Sequence, residues 1–226
     1  LGDQTLSTAS TALANVAVGY QTMVDVKAGT AVDGCVAVGF RALMGNSSNT
    51  TGIDGTVAIG KEALAALTTG AGNVAIGYQA LTTHTTGINN IAIGYQAMYD
   101  TDSTASSSAS LTSQGNVIIG KSAGSGAWQD QCNRNIAIGE LALSGTLNNS
   151  GNNVCIGYQA GDAITTGDGN IAIGYQADVG AASATNQTAI GSGCISWNAD
   201  NVVTLGNDDV DGIYAASDAD AVVYCV

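Results

Sequence analysis

One nine-residue phrase returns along nearly the whole chain, at its clearest in NVAIGYQAL (residues 73–81), NIAIGYQAM (90–98) and NIAIGYQAD (170–178). The Gly after its apolar triplet marks eleven copies: Gly19, Gly39, Gly60, Gly77, Gly94, Gly120, Gly139, Gly157, Gly174, Gly191 and Gly206. Markers lie 15 to 26 residues apart, most often 17, and the extra residues fall between phrases. Seventeen residues are too few for a domain. They suffice for one rung of a solenoid, a unit that buries its apolar side only by stacking on its neighbours.

The residues three and one before each marker are Val or Ile in ten of the eleven copies, with Thr188 and Leu205 the exceptions. β-Branched side chains at a spacing of two specify a strand. Between them stands Ala in eight copies, replaced by Ile118, Cys155 and Thr204 in the others. On a strand this residue points to the opposite face. A water-facing column would favour Thr, Ser or Lys, so the Ala column implies a second surface in close approach, and both strand faces are expected to be buried. Turns such as TTGAGN (68–73), TTGINN (85–90) and TTGDGN (165–170) precede the phrase and hold residues that tolerate positive φ. The expected fold class is all-β: a parallel β-solenoid, or β-roll, of about eleven short rungs. It spans residues 15–212, after a lead-in (1–14) and before an acidic C-terminal tip (213–226). At ~4.8 Å per rung it forms a rod roughly 50 Å long.

Composition agrees with that reading. The 226 residues include 31 Gly, no Pro and one Phe, Phe40. Pro would delete a ladder donor in any rung, and a core without large aromatics must be thin and filled by Val, Ile, Leu and Ala. Eighteen Asp and Glu against five Lys and Arg give a net charge of −13, which repels nucleic-acid phosphates and anionic membranes. No apolar run approaches the ~18 residues of a membrane span, and Leu1 opens no signal-like segment, so a soluble fragment or processed chain is expected. Five widely spaced cysteines (Cys35, Cys132, Cys155, Cys194, Cys225) without a CxxC pair argue against a disulfide framework or zinc site. Cys155 and Cys194 stand at small-residue positions and are expected as buried free thiols, which suits assembly in a reducing compartment.

The NxAIGxxA phrase resembles the head repeats of trimeric autotransporter adhesins, and the GYQAL and TTGxxN variants resemble repeat regions of bacteriophage tail fibres. TLGNDDVDGIYA (204–215) is similar to segments that precede a self-cleaving intramolecular chaperone of the endosialidase type. The resemblance implies a parallel β-roll packed as a homotrimer on a virion surface or in another extracellular filament. It places Ala17, Ala37, Ala58, Ala75, Ala92, Ala137, Cys155, Ala172 and Ala189 at the trimer interface. The function expected is that of a non-enzymatic structural fibre that attaches to a host-cell glycan or protein through many weak contacts. A bacterial trimeric surface adhesin or filament subunit is the alternative, and a fibre-borne polysaccharide depolymerase the reading after that.

Other motifs give way to the repeat. GNVIIGKS (115–122) matches the phosphate-loop pattern GxxxxGK[ST], but Val117, Ile118 and Ile119 are the strand of a repeat in register with ten others. No cofactor is expected. Asn207, Asp209, Asp211 and Asp218, with Gly212, fit calcium-loop spacing, set against a solvated acidic turn. His84, the one histidine, lies between repeats without a triad around it and is expected at a surface turn. Glu62 and Glu140 are the only Glu residues available for a glycosidase pair. Tyr78 with Tyr95, and Tyr158 with Tyr175, are expected to stack as ladders between neighbouring rungs. The inserted segments supply receptor-binding candidates: Tyr99, beside Asp100, Asp102 and the Ser/Thr tract 101–113, then Trp128 and Arg134 beside Asp130. Trp197 is a further one. Trp128 can equally cap its own loop.

Overall fold

The computed structural model describes residues 3–5, 14–26, 32–101, 112–129 and 131–210. Each marker Gly closes a three-residue strand, and eleven of these form one parallel sheet. They are β1 (Val16–Val18), β3 (Val36–Val38), β5 (Val57–Ile59), β6 (Val74–Ile76), β7 (Ile91–Ile93), β8 (Val117–Ile119), β9 (Ile136–Ile138), β10 (Val154–Ile156), β11 (Ile171–Ile173), β12 (Thr188–Ile190) and β13 (Val203–Leu205). They pair in chain order and in strict register, so Ala75 sits opposite Ala58 and Ala92. The fold is a parallel β-solenoid, and no helix occurs among the described residues. The opposite wall is less regular: β2 (Asp25–Val26) pairs β4 (Gly45–Thr50) in parallel, and bridges join Thr51 to Thr69, Gln129 to Asn148 and Asp178 to Ile195. GNVIIGKS contains β8, as the repeat requires.

The Ala column points inward. Ala17 is 8% exposed, and Ala37, Ala58, Ala75, Ala92, Ala137, Cys155, Ala172 and Ala189 are 0% exposed within a single chain. These residues are therefore not the trimer interface expected for them. The second surface that demands small side chains is the far wall of the same roll, which contributes Ala63, Leu64, Ala80, Leu81, Ala97 and Met98 to one continuous core. The expectation that both strand faces are buried also fails within one chain, because the Val and Ile columns face outward.

Closing a rung within about seventeen residues needs unusual backbone. After the markers from Gly19 to Gly157 the chain alternates hands: Gln79 and Leu81 have φ of 54° and 52°, and Gln96 and Met98 have 52° and 49°. Left-handed Leu and Met cost roughly 1–2 kcal/mol each, offset by complete burial of the side chain.

A column the repeat reading did not single out lies just before the strands. Asn73, Asn90, Asn116, Asn135, Asn153 and Asn170 are all fully buried. The backbone N–H of each of the last five donates to the side-chain oxygen of the Asn one rung earlier, at 2.9–3.1 Å. The side-chain nitrogens donate to carbonyls such as those of Gly87, Ser113 and Cys132. The buried amides are thus paired along the axis, which removes their desolvation penalty. His84 joins this interior and is not a surface turn residue: it is 0% exposed, with Nδ1 at 3.1 Å from Thr101 Oγ1 and Nε2 at 3.4 Å from Asn90 Nδ2.

Candidate functional site

Because Ala faces in, the β-branched residues on either side of it face out. The strands carry an exposed or half-buried, buried, exposed or half-buried pattern from β1 to β12, with Val16 at 48%, Val18 at 44% and Ile190 at 40% exposed. The result is a flat wall two apolar residues wide and eleven rungs tall, interrupted only by Thr188. At about 3.3 Å per residue and ~4.8 Å per rung it measures about 10 by 50 Å. An apolar area of about 500 Å², broken once at Thr188, has the size of the largest patch on a typical monomer, which is often functional.

Two different rims border the wall. The residue after the marker Gly is large in the first nine copies, before Ser192 and Asn207: Tyr20 stacks on Phe40 with ring centroids 5.7 Å apart, Tyr78 on Tyr95 at 5.1 Å and Tyr158 on Tyr175 at 5.4 Å. Lys61 sits between two rings, 5.7 Å from Phe40 and 5.4 Å from Tyr78. The expected ladders are thus present, extended at one end by Tyr20 and Phe40. Their faces turn toward one another along the axis, so ring edges and hydroxyls, not faces, point outward; this suits steadying the roll better than stacking on a sugar. Where aromatics give out, Lys121 Nζ pairs with Glu140 Oε1 at 2.8 Å, and that carboxylate holds the Lys121 amine above its ordinary range. On the other rim, five residues before each marker, the chain turns through left-handed backbone with small residues such as Gly34, Gly55, Gly72 and Gly169.

No family model, curated protein or solved structure matches the chain.

The receptor candidates do not converge. Tyr99 is half-buried, its carbonyl accepting from Thr83 Oγ1 at 2.8 Å. Trp128 is 1% exposed, which removes it as a receptor contact: the ring fills space left by Gly124, and its Nε1 has no hydrogen-bond partner among the described residues. Arg134 is exposed on the small-residue rim at the rung of β9. Trp197, 77% exposed, lines an open trough of about 610 Å³ at the C-terminal end of the roll, with Ile195, Leu205, Asn207, Asp208 and Asp209. Asp102, Asp130, Asp211 and Asp218 lie outside the described residues. Of the calcium candidates that remain, Asn207 spends its side-chain oxygen on the Asp209 N–H at 3.1 Å. No group of three metal-ligating side chains occurs among the described residues.

Carboxylate geometry bears on the enzyme reading. Glu62 and Glu140 belong to the rungs of β5 and β9, four steps apart. That is about 19 Å along the axis, beyond the ~5–10 Å of a glycosidase pair. Asp178 occupies the inward position held by Leu or Met in other rungs and is 9% exposed. Burial first, and then a hydrogen bond with the Asp162 carboxyl, push it up to about 7. Its oxygens accept from Ala163 N at 3.0 Å and Val179 N at 2.8 Å. The four described cysteines are buried thiols outside any disulfide, and burial pushes the Cys35, Cys155 and Cys194 thiols up.

Proposed function

We propose that this chain forms the shaft of a homotrimeric fibre on a virion surface, of the phage tail-fibre kind, which attaches to a cell-surface glycan or protein. The outward Val and Ile wall carries the reading. Three walls of about 500 Å² turned onto one axis bury about 1,500 Å² over the trimer, about 500 Å² for each pair of chains; that is less than the ~1,200 Å² of a standard pairwise interface, so the rims beside the wall must add to the contact. The assembly is held by the outward residues, in place of the Ala column, and the sequence resemblance supplies the virion setting. Three chains of −13 each carry −39, which discourages nonspecific adsorption to anionic envelopes.

Attachment falls to the exposed features that the rod repeats threefold, first among them the Trp197 trough. Its indole face can take the apolar side of a sugar while Asp208 and Asp209 accept hydroxyl protons. The role is mechanical and adhesive, with no cofactor. A bacterial surface adhesin or filament of the same fold shares every one of these features, and the gene sequence beyond Val226 distinguishes them. A chaperone domain there supports the fibre, and a membrane-anchor barrel the adhesin.

Sedimentation equilibrium of the purified chain tests the assembly: the expected mass is three times 22.3 kDa, and a stable monomer overturns the proposal. Retention on immobilised bacterial envelope polysaccharide tests attachment. Binding that is lost in W197A supports the trough as the contact; binding unchanged in W197A removes it. Oligosaccharide release from the same material would establish the depolymerase instead.

A further inference from the structure

We infer that neighbouring chains join rim to rim in a parallel ring, Glu140 of one chain pairing with Arg134 of the next. The inference rests on the homotrimeric reading and specifies how its chains meet.

The two rims differ in size at the same height. On the rung of β3 the small rim has Gly34 and the large rim Phe40; on β6 they are Gly72 and Tyr78. A rotation axis parallel to the roll keeps every rung level and brings the large rim of one chain against the small rim of the next. On the rungs of Phe40, Tyr78 and Tyr175 the aromatic edge then lies over glycine backbone (Gly34, Gly72 and Gly169), and on those of Tyr20, Tyr95 and Tyr158 over the smaller Ala14, Asn89 and Asn152. An antiparallel two-fold pairing would instead set large rim on large rim and reverse the order of the rungs.

Charge follows the same rule. At the position directly after the marker the one acidic residue is Glu140, and at the position five before it the one charged residue is Arg134, the one basic residue in small-rim turns that otherwise carry Asp33, Asp54, Asp168 and Asp200. Both stand on the rung of β9, on opposite sides of Ile136–Ile138. Both are exposed, and the described residues give Arg134 no ion-pair partner. Six residues of extended chain span about 20 Å, too far for the two to meet within one chain. Between chains related by a parallel axis they meet at the same height. Glu140 already binds Lys121 through Oε1, so a guanidinium on Oε2 completes a Lys–Glu–Arg cluster across the seam. The pairing fixes both the parallel sense and the axial register of the chains.

Cysteine cross-linking tests it. In a C225S background, the R134C/E140C double variant is treated with a bis-maleimide long enough to bridge the backbone separation of an Arg–Glu pair, which a disulfide cannot, and run on a denaturing gel. Covalent trimers are expected, since each chain bonds to both neighbours, and neither single variant links. The native thiols at Cys35, Cys132, Cys155 and Cys194 are buried and serve as the silent control. Sedimentation of the same preparation separates two failures. Trimers that do not cross-link overturn the rim pairing alone, and monomers overturn the trimer as well. Covalent dimers only, or links in the R134C single variant, also overturn the proposed ring. In a second variant, R134E, the trimer is expected to dissociate at about tenfold higher concentration than the parent, less so in high salt; dissociation at the parental concentration overturns the ion pair.

Discussion

At the marker position only Gly fits, for two reasons that act together. Gly39 has φ of +136°, and a Cβ there would lie 2.5 Å from the Gly60 carbonyl oxygen. Neither backbone can yield without breaking the ladder, so G39A is expected to lower stability by about 3 kcal/mol or more, read as a lower denaturation midpoint. The Asn column predicts the opposite sign elsewhere. Thr56 holds the position of Asn73 one rung earlier, and its hydroxyl is buried without a partner. In T56N the new side-chain oxygen can take the Asn73 N–H, as Asn73 takes that of Asn90. A gain of about 1 kcal/mol, or about 3 °C in melting temperature, is expected by calorimetry. The Asn column was visible in the phrase NxAIG. A polar residue repeating beside a strand reads as a turn until stacking shows that its amides pair along the axis.

Within a rung, volume is conserved across six residues. Where Ile118 replaces the inward Ala, the left-handed Leu position becomes Gly124; where Cys155 replaces it, that position becomes Gly161. A Cβ on Gly124 would lie 3.2 Å from Ile118 Cγ2, and one on Gly161 would overlap Cys155 Sγ. Restoring the common pair therefore requires both changes. G161L alone is expected to cost more than 2 kcal/mol, C155A alone about 1–2, and C155A/G161L less than G161L alone, the coupling read from a double-mutant cycle in urea. This compensation is written in the sequence but appears only when the eleven phrases are aligned to their following residues. Asp178 breaks the same Leu position differently. Its folded-state value, about 7, lies above the ordinary 3.8, so the protonated acid is the form the fold favours. That contribution is complete below pH ~4 and is lost as pH rises through ~7. The melting temperature is expected to fall as pH rises from about 4 to about 7. In D178N, whose amide can donate to Asp162 at every pH, that fall should be smaller.

Across the whole molecule, the repeat made the parallel solenoid and its rung count legible, because period two within the phrase and period ~17 between phrases leave few other ways to bury the chain. What it left ambiguous was inside and outside. Ala beside Val and Ile reads as the close-packed seam between subunits, whereas a roll this narrow needs its smallest residues for its own interior, and the larger β-branched ones are left to face a partner. Trp128 was ambiguous for a related reason: an inserted loop normally lies outside, yet Gly124 opens a space in the wall that the indole fills. The inversion makes a prediction that separates assembly from folding. Replacing Ile76, Ile93, Val117 and Ile138 by Thr keeps β-branched strand residues, leaves the Ala core untouched and makes the centre of the wall polar. If the wall is the seam, this variant sediments as a monomer and keeps the circular-dichroism spectrum of the parent. Its parent's melting temperature should rise with protein concentration, and its own should not. Substituting the inward side instead, Ala92→Leu, overpacks the interior and should lower stability by about 1–3 kcal/mol in monomer and trimer alike. Were the Ala column the seam after all, the Thr variant would remain trimeric and Ala92→Leu would be the change that dissociates it.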